Sequence, residues 1–416
     1  MAGSIRVRLI VLLLLLSPVL ITPLEAQLVL GQYEDEAPLG TWNLLGPASA
    51  QALGRGTWGF AQTGDTPAAL VNPALLASLP KYTVTATGSY SWASLFRYSL
   101  VNTGVVASRG NLSAGYFGLD EGAVTVRRGR FALAVSAGLV EDYGRPGVFI
   151  SEDGSSNGLR VTQTGLLRDL GFAASARLGR GLAAGVGVHF VAGRLDREVV
   201  QRSAAVDGTV TITDEKHEKL RGIYVTGGLS WEASPRVSAA LIVRAPYARK
   251  ADAHSLLRYQ VPATGTDIRT DAAAENTYRQ PWVVGAGVSG RLTGTLSVTA
   301  DVAWFGWSRY AVTYFDEPLA RRFKDTVKAG AGLTKILTGR LFGSPAAFPL
   351  RLGLSFDPQP MRDPRSSYLG FSAGTGLRLG FVSLDAAVFY GRESGSGNSL
   401  TTARGALTVT WSPDGD

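Results

Sequence analysis

The chain has 416 residues, 41 Lys and Arg against 33 Asp and Glu, a formal charge of +8, 51 glycines and no cysteine. The absence of cysteine excludes disulfide staples and thiol chemistry, and basic residues scattered without a Lys/Arg block exclude a nucleic-acid partner for an exported chain. The positive balance instead suits anionic lipid head groups or anionic solutes.

Residues 1–26 have the layout of a secretory signal peptide: Arg6 and Arg8, an apolar run from 9 to 21 (LIVLLLLLSPVLI), then Leu24-Glu25-Ala26 before Gln27. The run is shorter than the ~20 residues that a spanning helix needs, and Pro18 interrupts it. Residues 27–50 are a polar lead-in whose acidic cluster QYEDE (32–36) is expected to be a solvated periplasmic tail.

Residues 51–80 (QALGRGTWGFAQTGDTPAALVNPALLASLP) alternate poorly and are dominated by small side chains. Gly54, Gly56, Gly59, Gly64, Ala68, Ala69 and the triplet Asn72-Pro73-Ala74 let backbone approach backbone, as the crowded inside of a closed barrel requires. This stretch is expected to be a hatch or plug segment; composition alone suits a disordered periplasmic leader equally well.

Residues 81–412 repeat one device, a strand, a reversal and another strand. In TLSVTADVAW (295–304), Leu296, Val298, Ala300, Val302 and Trp304 share one face while Ser297, Thr299 and Asp301 share the other. GLAAGVGVHF (181–190) and residues 382–390 behave alike.

The reversals alternate in length. Short turns fall near 127–130, 178–181, 232–235, 291–294, 339–346 and 379–381. Longer polar connections are expected near 102–110, 144–158, 196–218, 246–277, 311–322, 358–366 and 392–400. Seven loops and six turns make fourteen strands, and this asymmetry is the pattern of an outer-membrane barrel. The fold class expected is all-β: a transmembrane antiparallel β-barrel of about 14 strands with an N-terminal hatch inside the barrel. Trp231, Trp282, Trp304, Trp307 and Trp411 are expected as interfacial girdle residues.

Three stretches carry a family resemblance. GRGTWGFAQTGDTPAALVNPALLASLP, from Gly54, resembles the N-terminal plug of the FadL-type outer-membrane transporters of long-chain fatty acids and other hydrophobic compounds, with Asp65 and Asn72-Pro73-Ala74 in that family's acidic and Asn-Pro-Ala positions. Residues 279–310 look like its strand, turn, strand unit ending in a Trp-Ser pair, here Trp307-Ser308. PLRLGLSFDPQPMRDP (349–364) is similar to a late strand followed by an outer loop.

The resemblance implies capture in outer loops, diffusion into the barrel, and sideways release beside a kinked third strand touched by the hatch. Here that strand would be 130–143, with Gly138 as the kink, because a glycine weakens strand pairing. Asn72-Pro73-Ala74 is expected to prop it, Pro73 by fixing the backbone and Asn72 by hydrogen bonding. The plainer reading of Asn-Pro is a turn entering the wall.

By strand parity Asp169, Arg177, Arg244, Asp301, Lys328, Arg351, Arg378, Asp385 and Arg404 point inward. They make either a charge network that fills the lumen or, in the sharper reading, a receptor in which Lys328, Arg351 or Arg378 takes the carboxylate of an amphiphile. Leu256, Leu257 and Tyr259, amid charge in an outer loop, form a candidate capture patch.

No enzyme is expected, since His189, His217 and His254 are the only histidines and no Gly-x-Ser-x-Gly motif occurs. Neither a metal site nor a cofactor is expected. The expected partners are hydrophobic or amphipathic small molecules, outer-membrane lipid and lipopolysaccharide, with no nucleic acid and a monomeric barrel in a Gram-negative-type outer membrane. The function expected is passive uptake of hydrophobic compounds such as long-chain fatty acids. The alternative is a FadL-like shuttle barrel of a protein secretion system.

Overall fold

A computed structural model describes residues 49–62, 71–102, 105–144, 149–150, 158–205, 208–315, 317–319, 323–360, 362, 365–395 and 400–413. The expected signal peptide, the acidic tail and Asp65 lie outside the described residues.

Fourteen wall strands run in chain order. They are β1 Tyr82–Asn102, β2 Val105–Arg128, β3 Phe131–Asp142, β4 Gly158–Gly179, β5 Leu182–Ala205 and β6 Gly208–Ser234. Next come β7, in two segments, Val237–Arg244 and Tyr247–Val261, and β8, also in two, Thr266–Gln280 and Val283–Arg291. The rest are β9 Leu296–Phe305, β10 Thr326–Leu341, β11 Ser344–Pro358, β12 Ser367–Leu379, β13 Val382–Ser394 and β14 Thr401–Trp411. Each pairs antiparallel with its neighbour, and β1 closes on β14, with Val84 opposite Trp411. Closure pairs the wall's backbone groups within the protein along most of its length, the exception being β2 and β3 beyond Gly138.

Alternation decides what faces out. On β11, Leu350, Leu352, Leu354 and Phe356 are 46–63% exposed, while Arg351 and Ser355 between them are 3% and 5% exposed. The same apolar belt includes Leu170, Phe172, Val186, Phe190, Ile223 and Val225. A continuous apolar girdle of this kind suits hydrocarbon, and no described helix is long and apolar enough to cross a membrane.

Two expected long loops are strands. Residues 196–218 and 246–277 lie largely in β5, β6, β7 and β8, with Ala205 of β5 paired to Gly208 of β6 and the short 3-10 turn Pro262–Thr264 between β7 and β8. Cross-strand charge pairs hold these ribbons above the belt: Arg160 with Glu198 at 2.7 Å, Lys250 with Glu275 at 2.7 Å, and Arg258 with Asp267 at 2.6 Å. Polar alternation in water makes a strand as readily as a loop, and composition alone does not separate the two. Hydrogen bonds from Arg258 hold the exposed Asp267 carboxyl below its ordinary range.

Candidate functional site

Residues 49–62 and 71–80 occupy the turn side of the bore. Helix α1 (Ala50–Arg55) starts at Ser49, whose side chain accepts from the Ala52 amide, and stops at Gly56 in the left-handed conformation. A 3-10 turn, Pro73–Ser78, starts at Asn72, whose Oδ1 accepts from the Ala74 amide at 3.2 Å, with Pro73 at the first helical position. Locally, then, Asn72-Pro73-Ala74 is a capped helix start.

Polar groups of the wall anchor this hatch around its circumference. The Ala50 amide donates to Thr408 Oγ1 at 2.9 Å, and Gln51 Nε2 to Asp385 at 2.9 Å. The Gly59 amide donates to Asp301 at 2.6 Å, Ser238 Oγ to the Ala61 carbonyl at 2.8 Å, and Arg127 Nε to the Leu79 carbonyl at 2.6 Å. The wall is glycine where hatch backbone meets it. A Cβ at Gly228 would strike Asn72, one at Gly330 would strike Gly56, and one at Gly353 would strike Arg55. Sequence reasoning assigned the small residues to the hatch and overlooked that the wall supplies the matching half.

The prop expected between Asn72-Pro73-Ala74 and Gly138 takes another form. Asn72 Nδ2 donates to the Phe60 carbonyl at 2.8 Å and the Leu229 carbonyl of β6 at 3.4 Å, and Pro73 and Ala74 lie against Gly185 of β5. Contact with β3 falls instead to Leu75, Leu76 and Leu79, which pack on Ala132 and Ala134, near the turn end of that strand. The capped turn points its first residues toward β5 and β6, so only its later, apolar residues reach β3.

Gly138 marks where the wall parts. It is the last β3 residue paired with β2, opposite Glu121. Beyond it β3 stays paired with β4 as far as Asp142, while β2 stays paired with β1. Both strands are irregular at this level, β2 at Asp120 and β3 at Val140, where the register shifts by one residue.

Inside, one apolar cluster joins the hatch rings Trp58 and Phe60 to Tyr143 beside the parted strands and to Tyr278, Phe305, Trp307, Tyr310 and Phe323. Tyr224 and Tyr247 pack against it with their rings 5.2 Å apart. Trp307, expected in the membrane girdle, is 1% exposed, because a 3-10 turn (Trp307–Arg309) after β9 folds it inward. Trp231, Trp282 and Trp411 are exposed on the outer face.

The charges resolve mostly into pairs. Arg351 bridges to Asp385 at 2.7 Å, Lys328 pairs with Asp357, and Arg404 with Asp120. Asp169 accepts from Tyr224 at 3.0 Å and lies 2.9 Å from His189 Nδ1. Of the candidate receptors, Lys328 and Arg351 are thus already neutralised, and Arg378, at the turn end of β12, is exposed. Arg177 is exposed for the same reason, and Arg244 lies half-buried over the Tyr224 ring. Leu256, Leu257 and Tyr259 lie on the outer segment of β7, where Leu257 and Tyr259 are exposed. Among the described residues no group of three or more His, Asp or Glu is placed to hold a metal.

No protein-family model matches the chain, and no curated protein matches it. Solved structures match in fold. A Pseudomonas aeruginosa FadL homologue superposes with a TM-score of 0.65 at 16% identity, over 88% of this chain and 98% of that one. The Ralstonia pickettii toluene transporter TbuX gives 0.61 at 18% identity, over 89% and 99%. The Pseudomonas putida toluene transporter TodX gives 0.61 at 14% identity, over 89% and 98%. With its closed fourteen-stranded antiparallel wall and residues 49–62 and 71–80 folded inside, this chain has the FadL-type barrel fold.

Proposed function

We propose that this protein is an outer-membrane channel for passive uptake of hydrophobic compounds, long-chain fatty acids among them, with sideways release between β2 and β3. The observation that carries the reading is the aromatic interior that runs from the hatch to the level at which those strands part. An apolar solute costs about 25 cal/mol per Å² to keep in water, so a dry aromatic passage is a better conduit than a watery pore. The anchored hatch closes the straight route, and the gap above Gly138 offers hydrocarbon directly. The neighbours' names, a FadL homologue and toluene transporters, support the same class of solute.

Gly138→Val tests the route. Gly138 is buried and faces inward, so a valine there fills the opening from the lumen side. Uptake of a hydrophobic probe is expected to stop while the barrel keeps its heat-modifiable migration on gels. Uptake at the wild-type rate would eliminate the gate.

A further inference from the structure

Each of the six short reversals on the hatch side of the wall presents an exposed arginine: Arg130, Arg180, Arg236, Arg291, Arg340 and Arg378. Arg128 and Arg177 add two more, and among the described residues Glu232 is the one acidic side chain on these turns. The opposite end differs. There the outer ribbons carry both signs in cross-strand pairs, such as Arg221 with Asp252 at 2.8 Å and Lys250 with Glu275 at 2.7 Å.

Beside each turn arginine stands a large apolar side chain that the fold leaves uncovered. Phe131, Leu178, Val237, Leu292, Phe342 and Phe381 are 47–93% exposed, Phe342 the most. Arg130 lies over the Phe131 ring, with its Cζ 5.0 Å from the centroid. At the junction of β14 with β1, the exposed pair Lys81 and Tyr82 repeats the combination, with Nζ 4.8 Å from the ring centroid. The six turns and this junction alternate with the outer connections, so the combination recurs at every second strand around the closed wall.

We propose that this ring binds the head groups of anionic phospholipid in the leaflet on the turn side of the barrel. Apolar tips of this size are unfavourable in water and favourable among acyl chains, and a guanidinium beside them reaches the level of the phosphates. Its planar fork donates paired hydrogen bonds to phosphate oxygens, and an anionic head group adds a Coulombic preference over a zwitterionic one. Trp231 and Trp411, exposed near the turn ends of β6 and β14, match the same head-group depth. Distribution decides the class of partner. A folded acidic protein would cover one arc of the rim, whereas lipid meets the whole circumference, as these positions do. The assignment rests on the reading of the wall as membrane-spanning and deepens it by naming the lipid that its turn side selects.

The test is electron spin resonance of the protein reconstituted in phosphatidylcholine with trace spin-labelled phosphatidylglycerol or phosphatidylcholine, which reads how much of each lipid is immobilised at the barrel. Phosphatidylglycerol is expected to associate roughly 2- to 5-fold more strongly, and the preference to vanish in about 1 M salt, where the Debye length is ~3 Å. Combining Arg130→Gln, Arg180→Gln, Arg236→Gln, Arg291→Gln, Arg340→Gln and Arg378→Gln should abolish the preference in a barrel that keeps its heat-modifiable migration. Lys219→Gln, exposed at the outer end, should leave it unchanged. Equal association of the two lipids with wild type, or an undiminished preference in the folded sixfold variant or in about 1 M salt, would overturn the proposal and leave the channel reading standing. A preference that emerges only after deletion of residues 27–48 would overturn it as well, and would assign the ring to the chain's own acidic cluster at 32–36. Folded protein that immobilises neither lipid would remove the membrane barrel itself.

Discussion

Pro246 and Pro281 lie in matching two-residue breaks of adjacent strands, between the paired rows Arg244–Val283 and Tyr247–Gln280, and both strands change the face they turn inward at that level. Below the prolines Ile242 and Val283 are buried, and above them Arg249, Ala251, Tyr278 and Gln280 are. Neither proline has an N–H to give the ladder. Against β6, β7 takes five steps from Arg244 to Arg249 where β6 takes four, from Thr226 to Gly222, so one residue is extra. A slip of one residue exchanges the faces of everything beyond it.

Deleting Ala245 should therefore undo the exchange. Arg249 would turn toward the outer face and Lys250 toward the interior, and a charge on the lipid face costs up to ~2–4 kcal/mol depending on depth. The deletion is expected to lower the temperature at which the barrel loses its heat-modifiable migration by many degrees, whereas Pro246→Ala, which keeps the residue count, should shift it little.

Asp301 is the hatch anchor whose loss should be felt in permeability. Its Oδ2 accepts from the Gly59 and Phe60 amides at 2.6 Å and 3.3 Å. Hydrogen bonds to a charged group are worth about 1.5–3 kcal/mol each. Asp301→Ala is expected to raise single-channel conductance in planar bilayers through transient hatch release, with Asp301→Asn intermediate. A closed, silent Asp301→Ala barrel would show that the contact does not hold the hatch.

The glycine lining of the wall makes a steric prediction. Gly353→Ala should displace α1, because the new methyl meets Arg55 backbone rather than a side chain that can swing away. Limited proteolysis should then cut within 51–62 faster than in wild type. Leu352→Ala, one position along but facing outward, is the control that should leave the rate unchanged.

Trp307 should matter for both stability and binding. It packs on Tyr310 at 5.6 Å and Phe323 at 6.3 Å between ring centroids. Removing a buried Trp costs about 3–5 kcal/mol. Trp307→Ala is expected to lower the unfolding temperature and to weaken binding of a hydrophobic probe such as oleate, measured by equilibrium binding to the protein in nanodiscs.

The wall was legible from residue order wherever alternation ran unbroken. Leu350 to Phe356 out and Arg351 in follow from parity, as does the inward aim of Asp301 and Asp385, because a half-buried strand has a period of two and nothing else to decide. The hatch was only half legible, since small residues and an Asn-Pro start suit a disordered leader as well as a segment folded inside the barrel, and the wall contacts that separate the two come from distant strands.

Parity counted through Pro246 would place Arg249 among the lipids, and the bulge that reverses it depends on the partner strand's spacing, which a single strand does not encode. Pairing likewise lies beyond one strand: Lys328 and Arg351 read equally as members of a charge network or as receptors until Asp357 and Asp385 arrive from β11 and β13 to pair with them. Trp307 reads as a girdle residue until the turn after β9 carries it inward. Local order thus determined which segments form strands and which face each presents while the ladder is regular. The closing of the sheet decided which buried charges found partners, because that depends on what stands opposite each of them.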